Sequence, residues 1–287
     1  MAPRVREIGT LEGVGVTYLD EIMAWHRARA PLGRIDPGLM EAARARGRAA
    51  SLVEALRGGF GVIAEFKRRS PSKGQLAEAS LTPKAAARAY QAGGACALSV
   101  LTDEVFFGAV PDDLEQVTAA ATVPVLRKDF LVAPAEVVAS RARGASAVLV
   151  IAAALAPGEA EELIAIAREV GLEVLLEVHR AAELDGIDLD RCGFGGAIGV
   201  NQRDLATFEV DRARAEAVVA DLPSQWPRVA ESGITGPEDV ARLARAGYDG
   251  VLVGEILMRS HDPEAAVAEM VEAGRRVRED LRNHQPR

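Results

Sequence analysis

The sequence predicts an α/β protein, a closed (β/α)8 barrel (the TIM-barrel architecture) preceded by an N-terminal helical extension. Three observations carry this. Eight short apolar runs, near 62–66, 96–101, 123–127, 146–151, 172–177, 196–200, 227–231 and 249–253, start 22 to 34 residues apart, the spacing of strand–helix units and not of hairpins. Helical patterns fill the intervals. No stretch rich in Gly, Ser and Pro divides the chain, so residues 1–287 read as one domain, with 1–60 as the extension and 61–278 as the barrel core.

Residues 1–16 have weak periodicity and three glycines, as a draped terminus would. From Thr17 the pattern turns helical: Tyr18, Ile22 and Trp25 share a face, and Thr17 with Asp20 can form a capping box. That face is as compatible with plain packing as with covering a site, so Trp25 is not assigned a catalytic part. Pro31-Leu-Gly33 ends this helix, and a second is expected from Pro37 to Leu56, stopped by Gly58-Gly59. Its Arg- and Ala-rich surface reads as solvated helix. The barrel helices are expected near 82–92, 111–120, 134–143, 158–170, 179–185, 211–219, 237–246 and 262–278, with prolines at the starts of several and Gly93, Gly144, Gly171 and Gly247 near stops. An open doubly wound sheet is the alternative, but its dinucleotide signature is missing. Gly13-Val14-Gly15 lacks a preceding strand, and Gly193-Phe194-Gly195-Gly196 precedes a strand where it should open a helix.

Composition narrows the function. Hydrophobic residues at 49% and charged residues at 26% describe a globular protein with a substantial core. The formal charge of -8 argues against broad nucleic-acid or anionic-membrane binding, yet a local pocket can still hold a small anion. Cys96 and Cys192 make neither a disulfide framework nor a thiolate metal site, and His26, His179, His261 and His284 show no metal-ligand spacing. No signal-peptide or membrane-spanning pattern is present, so a cytoplasmic protein is expected.

In a barrel the C-terminal ends of different strands converge on one mouth. Strand one ends with Glu65 and Lys67, which alternation sends to the same face. Strand three ends with Lys128 and Asp129, and strand five with Glu177; strand six runs into Asn201-Gln-Arg203-Asp, and strand seven into Glu231-Ser232-Gly233. Lysines among carboxylates can stabilise an oxyanion or move protons; the bland reading is that Lys67–Glu65 and Lys128–Glu177 neutralise one another. Gly233 after strand seven, and Gly254-Glu255 opening a short helix to Met258 after strand eight, offer backbone amides to a phosphate, with Ser70 or Arg68 completing the enclosure. An oxygen-ligand metal site from Glu65, Glu177 and Glu231 is the weaker interpretation, because Lys67 and Lys128 compete with a cation. Ser232 and His179 do not amount to a nucleophile–base pair.

The segments Ile63-Ala-Glu-Phe-Lys-Arg-Arg-Ser-Pro-Ser-Lys-Gly74, Leu98-Ser-Val-Leu-Thr-Asp103, Pro124-Val-Leu-Arg-Lys-Asp-Phe130, Asn201-Gln-Arg-Asp-Leu205 and Ala230-Glu-Ser-Gly-Ile234 together resemble the indole-3-glycerol phosphate synthase family of tryptophan biosynthesis, from about residue 10 to 275. The resemblance implies a carboxy-lyase that converts 1-(2-carboxyphenylamino)-1-deoxyribulose 5-phosphate to indole-3-glycerol phosphate, carbon dioxide and water. It implies Lys128 as general acid, Glu177 as general base, and Asn201 holding the hydroxyl-bearing intermediate. Lys67 would contact the substrate carboxylate and assist dehydration, with Glu65 tuning the lysines and Glu231 supporting the polar network. For binding it implies Ser70, Ser232, Gly233, Gly254 and the amide of Glu255 at the phosphate, Phe107 as an aromatic wall, and Arg203 organising Asn201. Some relatives carry serine where this chain has Glu255. The expected partner is a small phosphorylated substrate, with no cofactor, metal, nucleic acid or membrane. A monomer or weak homodimer is expected, with contact to other tryptophan-pathway enzymes left open. The rivals are a barrel isomerase such as phosphoribosylanthranilate isomerase and a non-catalytic ligand-binding scaffold.

Overall fold

The computed structural model describes residues 17–31, 33–70, 74–76, 81–204 and 207–284; the expected draped terminus and loop residues 71–73 lie outside them. Eight parallel strands close on themselves: β1 (Gly61–Phe66), β2 (Ala97–Leu101), β3 (Val125–Lys128), β4 (Ala147–Ile151), β5 (Glu173–Val178), β6 (Gly196–Asn201), β7 (Arg228–Glu231) and β8 (Gly250–Val253). Each pairs with the next, and β8 returns to β1 with Val62 opposite Val251. Helices Pro83–Ala92, Asp113–Thr118, Pro134–Ala142, Pro157–Glu169, Arg214–Val218, Pro237–Ala246 and Pro263–Asn283 lie between and after the strands. The expected helix at 179–185 is a single 3-10 turn, Ala181–Leu184, cut short by the Asp185-Gly186 turn in which Gly186 takes φ +85°.

Alternation along the strands sorts two apolar layers. Val62, Ala64 and Phe66 of β1 point outward into the helix-facing core with Val100, Val148, Leu176 and Val251. Ile63 points inward with Ala97, Leu126, Leu149, Leu175, Ala197, Val229 and Leu252, filling the barrel as a packed interior and not a pore. The same two-residue period carries inward-facing positions upward from Ile63 to Glu65, from Leu126 to Lys128, from Leu175 to Glu177 and from Val229 to Glu231. Apolar filling therefore gives way to charge near the C-terminal ends of the strands.

The extension holds both ends of this barrel. Helix α1 (Tyr18–Arg29) starts at the expected capping box, with Asp20 N donating to Thr17 Oγ1 at 3.2 Å and Thr17 N to Asp20 Oδ2 at 2.8 Å. The single helix expected from Pro37 to Leu56 is instead two, α2 (Pro37–Arg44) and α3 (Leu52–Arg57). The first ends at Arg44, capped by Ala45, and Ser51 starts the second by accepting from Glu54 N at 3.0 Å. The break lets Leu52 and Leu56, 0% and 1% exposed, turn into the interior cluster from the N-terminal end. At the other end α1 packs Tyr18 edge-on against Phe106 after β2 and Phe208 after β6, with centroids 5.8 and 4.6 Å away. His26 bonds Asp103 at 2.9 Å, and Arg27 grips Glu159 through two bonds of 2.6 and 2.8 Å.

Candidate active site

The inward positions at the strand ends line one cavity of about 630 Å³ at the C-terminal mouth. Each residue to which the family resemblance gave a part reaches its lining: Glu65, Lys67, Lys128, Glu177, Asn201 and Glu231 as polar groups, and Ser70, Phe107, Arg203, Ser232, Gly233, Gly254 and Glu255 around them. Lys67 Nζ lies 2.8 Å from Glu65 Oε1. Lys128 Nζ sits between two acids, 3.0 Å from Glu177 Oε2 and 3.3 Å from Glu231 Oε2. Asn201 Nδ2 donates to the other oxygen of Glu177 at 3.1 Å, and Asn201 Oδ1 accepts from Arg203 N at 3.0 Å. Arg203 also donates to the carbonyl of Phe208 at 3.0 Å, tying the loop after β6 to the polar cluster.

The charges do not balance. Three buried carboxyl groups, Glu65, Glu177 and Glu231, face two ammonium groups, and both oxygens of Glu231 lack a hydrogen-bond partner among the described residues. Burial by itself would lower the pKa of Lys128, but Glu177, Glu231 and Glu65 outweigh it and hold the ammonium well above the ordinary lysine value. Burial also works upward on Glu177, and there Lys128, His179 and the Asn201 bond win and keep it ionised below the usual carboxylate range. At Glu231 burial prevails over Lys128, with Glu177 adding repulsion, and the carboxyl is pushed up to about 8. The three groups titrate as a unit. The network therefore sets a carboxyl drawn toward ionisation, Glu177, and one drawn toward protonation, Glu231, on either side of the Lys128 ammonium.

Two glycines make the network sterically feasible. A Cβ on Gly199 of β6 would lie 2.0 Å from Glu231 Oε1, and one on Gly254 would lie 2.5 Å from Glu65 Oε1. Beyond β7, Ser232 and Gly233 both take left-handed φ, +63° and +69°, the kind of turn in which backbone amides can form an anion-binding concavity. Ser70 Oγ is buried without a partner among the described residues, so an acceptor-rich ligand group would satisfy it.

A family model described as indole-3-glycerol phosphate synthase matches residues 19–270. The chain belongs to the indole-3-glycerol phosphate synthase family. The indole-3-glycerol phosphate synthase of Mycobacterium sp. (strain KMS) is 49% identical over 218 residues, covering 75% of this chain and 78% of that protein. Indole-3-glycerol phosphate synthase 1 of Streptomyces coelicolor is 45% identical over 266 residues, covering 90% and 96%. A solved structure of thiamine phosphate pyrophosphorylase from Pyrococcus furiosus superposes with a TM-score of 0.55 over 77% of this chain and 98% of that one; at 19% identity it shares the fold alone.

Within this family member, one residue expected at the phosphate enclosure stands elsewhere. Arg68 turns away from the cavity to bond both oxygens of buried Asp113, at 2.6 and 2.9 Å, because that carboxylate otherwise has only the Val110 amide at 2.9 Å. Asp129 lines the mouth as expected, but its carboxylate accepts from Arg127 at 2.8 Å and from Thr102 and Phe130 N, so its charge is already spent on loop structure. Other lining residues escaped the sequence reading: Phe130, Phe208, Val210, Arg212, Thr235 and Arg259. Phe130 follows directly on Lys128-Asp129 and was findable as an apolar residue beside a strand-end lysine. Phe208 and Arg212 belong to an irregular loop whose path no periodicity reveals. His26, Asp103 and Asp129 also gather, with ligand-type atoms within 4.8 Å of one another. Asp103 uses its second oxygen on the amides of Phe106 and Phe107, so this cluster reads as the clasp between α1 and the loop after β2.

Proposed function

We propose that the chain closes the indole ring, converting 1-(2-carboxyphenylamino)-1-deoxyribulose 5-phosphate to indole-3-glycerol phosphate with release of carbon dioxide and water. The observation that carries this is Lys128, an ammonium held 3.0 Å from Glu177 and 3.3 Å from Glu231 in a cavity that a second ammonium, Lys67, also lines. As the ring carbon bearing the carboxylate attacks the ribulose carbonyl, negative charge grows on the carbonyl oxygen. Lys128 supplies its proton there. Loss of carbon dioxide restores the aromatic ring and leaves a hydroxyl on the new ring. Dehydration then takes that hydroxyl out as water while a base removes a proton from the neighbouring carbon. Glu177, held by Asn201, would be that base, and Lys67 would give the departing hydroxyl its proton, a reading supported by the bonds of Asn201 to Glu177 and of Lys67 to Glu65.

Pre-positioning matters because closure needs two parts of one flexible substrate brought together. Phosphate against Ser70, the left-handed Ser232-Gly233 turn and the Gly254-Glu255 amides would fix one end of the substrate. Phe107 and Phe130, 6.0 Å apart by ring centroids, would hold the aromatic end. A substrate bearing phosphate and carboxylate does not cross membranes, which supports a cytoplasmic setting; among the described residues no helix is long and apolar enough to span one.

Mixing the purified chain with the carboxyphenylamino ribulose phosphate should give indole absorption and equimolar carbon dioxide. Lys128→Ala should lower turnover by at least about 100-fold, the lower range for a general acid, while the variant still binds the substrate. Turnover within threefold of the parent would remove Lys128 from the acid role.

A further inference from the structure

At the opposite end of the barrel, a cleft of about 550 Å³ lies between the linker joining α2 to α3 and the N-terminal ends of β4, β5 and β6. Its lining includes Arg44, Arg46, Arg48, Arg141 and Arg168 against the acids Glu54, Glu169 and Glu173. The acids are all engaged. Glu169 takes Arg44 at 2.7 Å, and Glu54 takes Arg48 at 3.4 Å. Glu173 spends both oxygens on starting α3, accepting from Ser51 Oγ at 2.6 Å and Val53 N at 2.9 Å. Arg46, Arg141 and Arg168 are left with no carboxylate partner among the described residues.

Arg141 is the informative member. Its side chain lines the cleft, yet the residue is only 5% exposed. Its terminal nitrogens donate to the backbone carbonyls of Ala145 at 3.2 Å, Arg46 at 3.3 Å and Gly47, while the Nε–H has no acceptor. Burial and the neighbouring Arg46 both press its pKa downward. A guanidinium cannot relieve that pressure by losing its proton, and a buried charge without a counter-ion is costly. Carbonyl contacts explain how Arg141 fastens the linker. They leave the charge, and one donor, unanswered.

We propose that this cleft is a second anion site, separate from the catalytic mouth, that takes a small phosphate-bearing anion. The lining carries two more guanidinium groups than carboxylates, five against three, which matches a dianion better than a monocarboxylate. Guanidinium forks bind tetrahedral oxyanions through paired N–H bonds. Arg46 belongs to the linker of the extension, while Arg141 and Arg168 belong to barrel helices or their ends, so a bound phosphate bridges the two parts. Occupancy would pin the linker to the barrel floor. None of the three arginines has a part in the ring-closing chemistry.

The test is equilibrium dialysis of the full chain with radiolabelled inorganic phosphate, at constant ionic strength made up with chloride because exposed charge pairing is screened by salt. The expected result is two phosphates per chain, one displaced by saturating indole-3-glycerol phosphate and one not. Arg168→Gln, an exposed change, should weaken only the second by about tenfold, the loss expected for one charge-assisted bond. Arg46→Gln should do the same, with ring-closing kcat/KM unchanged in both. A single site that the product displaces, no phosphate binding at all, or a second site indifferent to both substitutions would overturn the proposal. Circular dichroism of each variant excludes unfolding as the cause of a lost site.

Discussion

Gly199→Ala isolates position from charge. The substitution adds one methyl to a buried strand residue whose Cβ would sit 2.0 Å from Glu231 Oε1 and 3.3 Å from Leu175 Cδ1. A carbon–oxygen contact needs at least about 3 Å, so the carboxyl must retreat by about 1 Å. It is the far end of a flexible side chain, and among the described residues it makes an ion pair with Lys128 at 3.3 Å but no hydrogen bond of good geometry, so the move is possible. Leu175 need give only a few tenths of an ångström. Overpacking costs about 1–3 kcal/mol, and replacing a strand glycine returns about 0.5–1 kcal/mol. At roughly 2–4 °C per kcal/mol, Tm should fall by less than about 10 °C. Activity should suffer far more. The retreat shifts a carboxyl that stands 3.3 Å from Lys128, and a misplacement of about 1 Å in a catalytic constellation can cost about 100-fold. The expected outcome is a fall in kcat/KM of about 10- to 100-fold, read from the appearance of indole absorption, with Tm followed by circular dichroism. Gly195→Ala is the control, since a Cβ there meets nothing within 4 Å. A Gly199→Ala enzyme within threefold of the parent would refute the claim that Glu231 must stand where it does.

Glu231→Gln tests the protonation of that acid. A carboxyl raised from 4.5 to about 8 by folding contributes stability that is complete below 4.5 and is lost as pH rises through about 8. The amide mimics the protonated acid at every pH, so the stability of the variant relative to the parent should climb between about pH 4.5 and 8, by at most about 1.4 kcal/mol per pH unit, and level off above; a flat difference would contradict a raised Glu231. His26→Gln addresses the clasp of α1. Burial works against the imidazolium, but the Asp103 bond and the charges of Asp129, Asp103 and Glu136 raise its pKa above the usual 6.5, so its contribution is full below that value and lost as pH rises through the folded one. The variant should lose about 1–2 kcal/mol at pH 5.5 and little at pH 9, by thermal or urea unfolding; equal losses at both would show that the ring packs without pairing.

The strand–helix rhythm was legible because each strand is a short apolar run, and the barrel needs little else from the local sequence. Proline and glycine marked most helix ends, and Thr17 with Asp20 marked the start of α1. The break between α2 and α3 was not legible, because Arg46-Gly47 differs little from a tolerated helix interior until Leu52 and Leu56 are seen plugging the barrel. The helix after β5 failed for a related reason: too few residues separate His179 from the Asp185-Gly186 turn to form more than one 3-10 turn. Charged residues at strand ends could be recognised as a cluster in advance, since the parity of a strand assigns each to the inside or the outside.

What the sequence by itself determined is therefore which residues share the inner side of one closed sheet near its C-terminal mouth: Glu65, Lys67, Lys128 and Glu177. Tertiary structure alone decided which carboxyl keeps its proton, because that depends on Glu231 lying 3.3 Å from Lys128 in a space opened by Gly199. It alone separated Arg68, drawn off to Asp113, from Arg141, buried without a counter-ion. Pairing in a strand is a matter of period and is written in the chain. Protonation and charge compensation depend on distance and burial, which exist only once remote segments have packed.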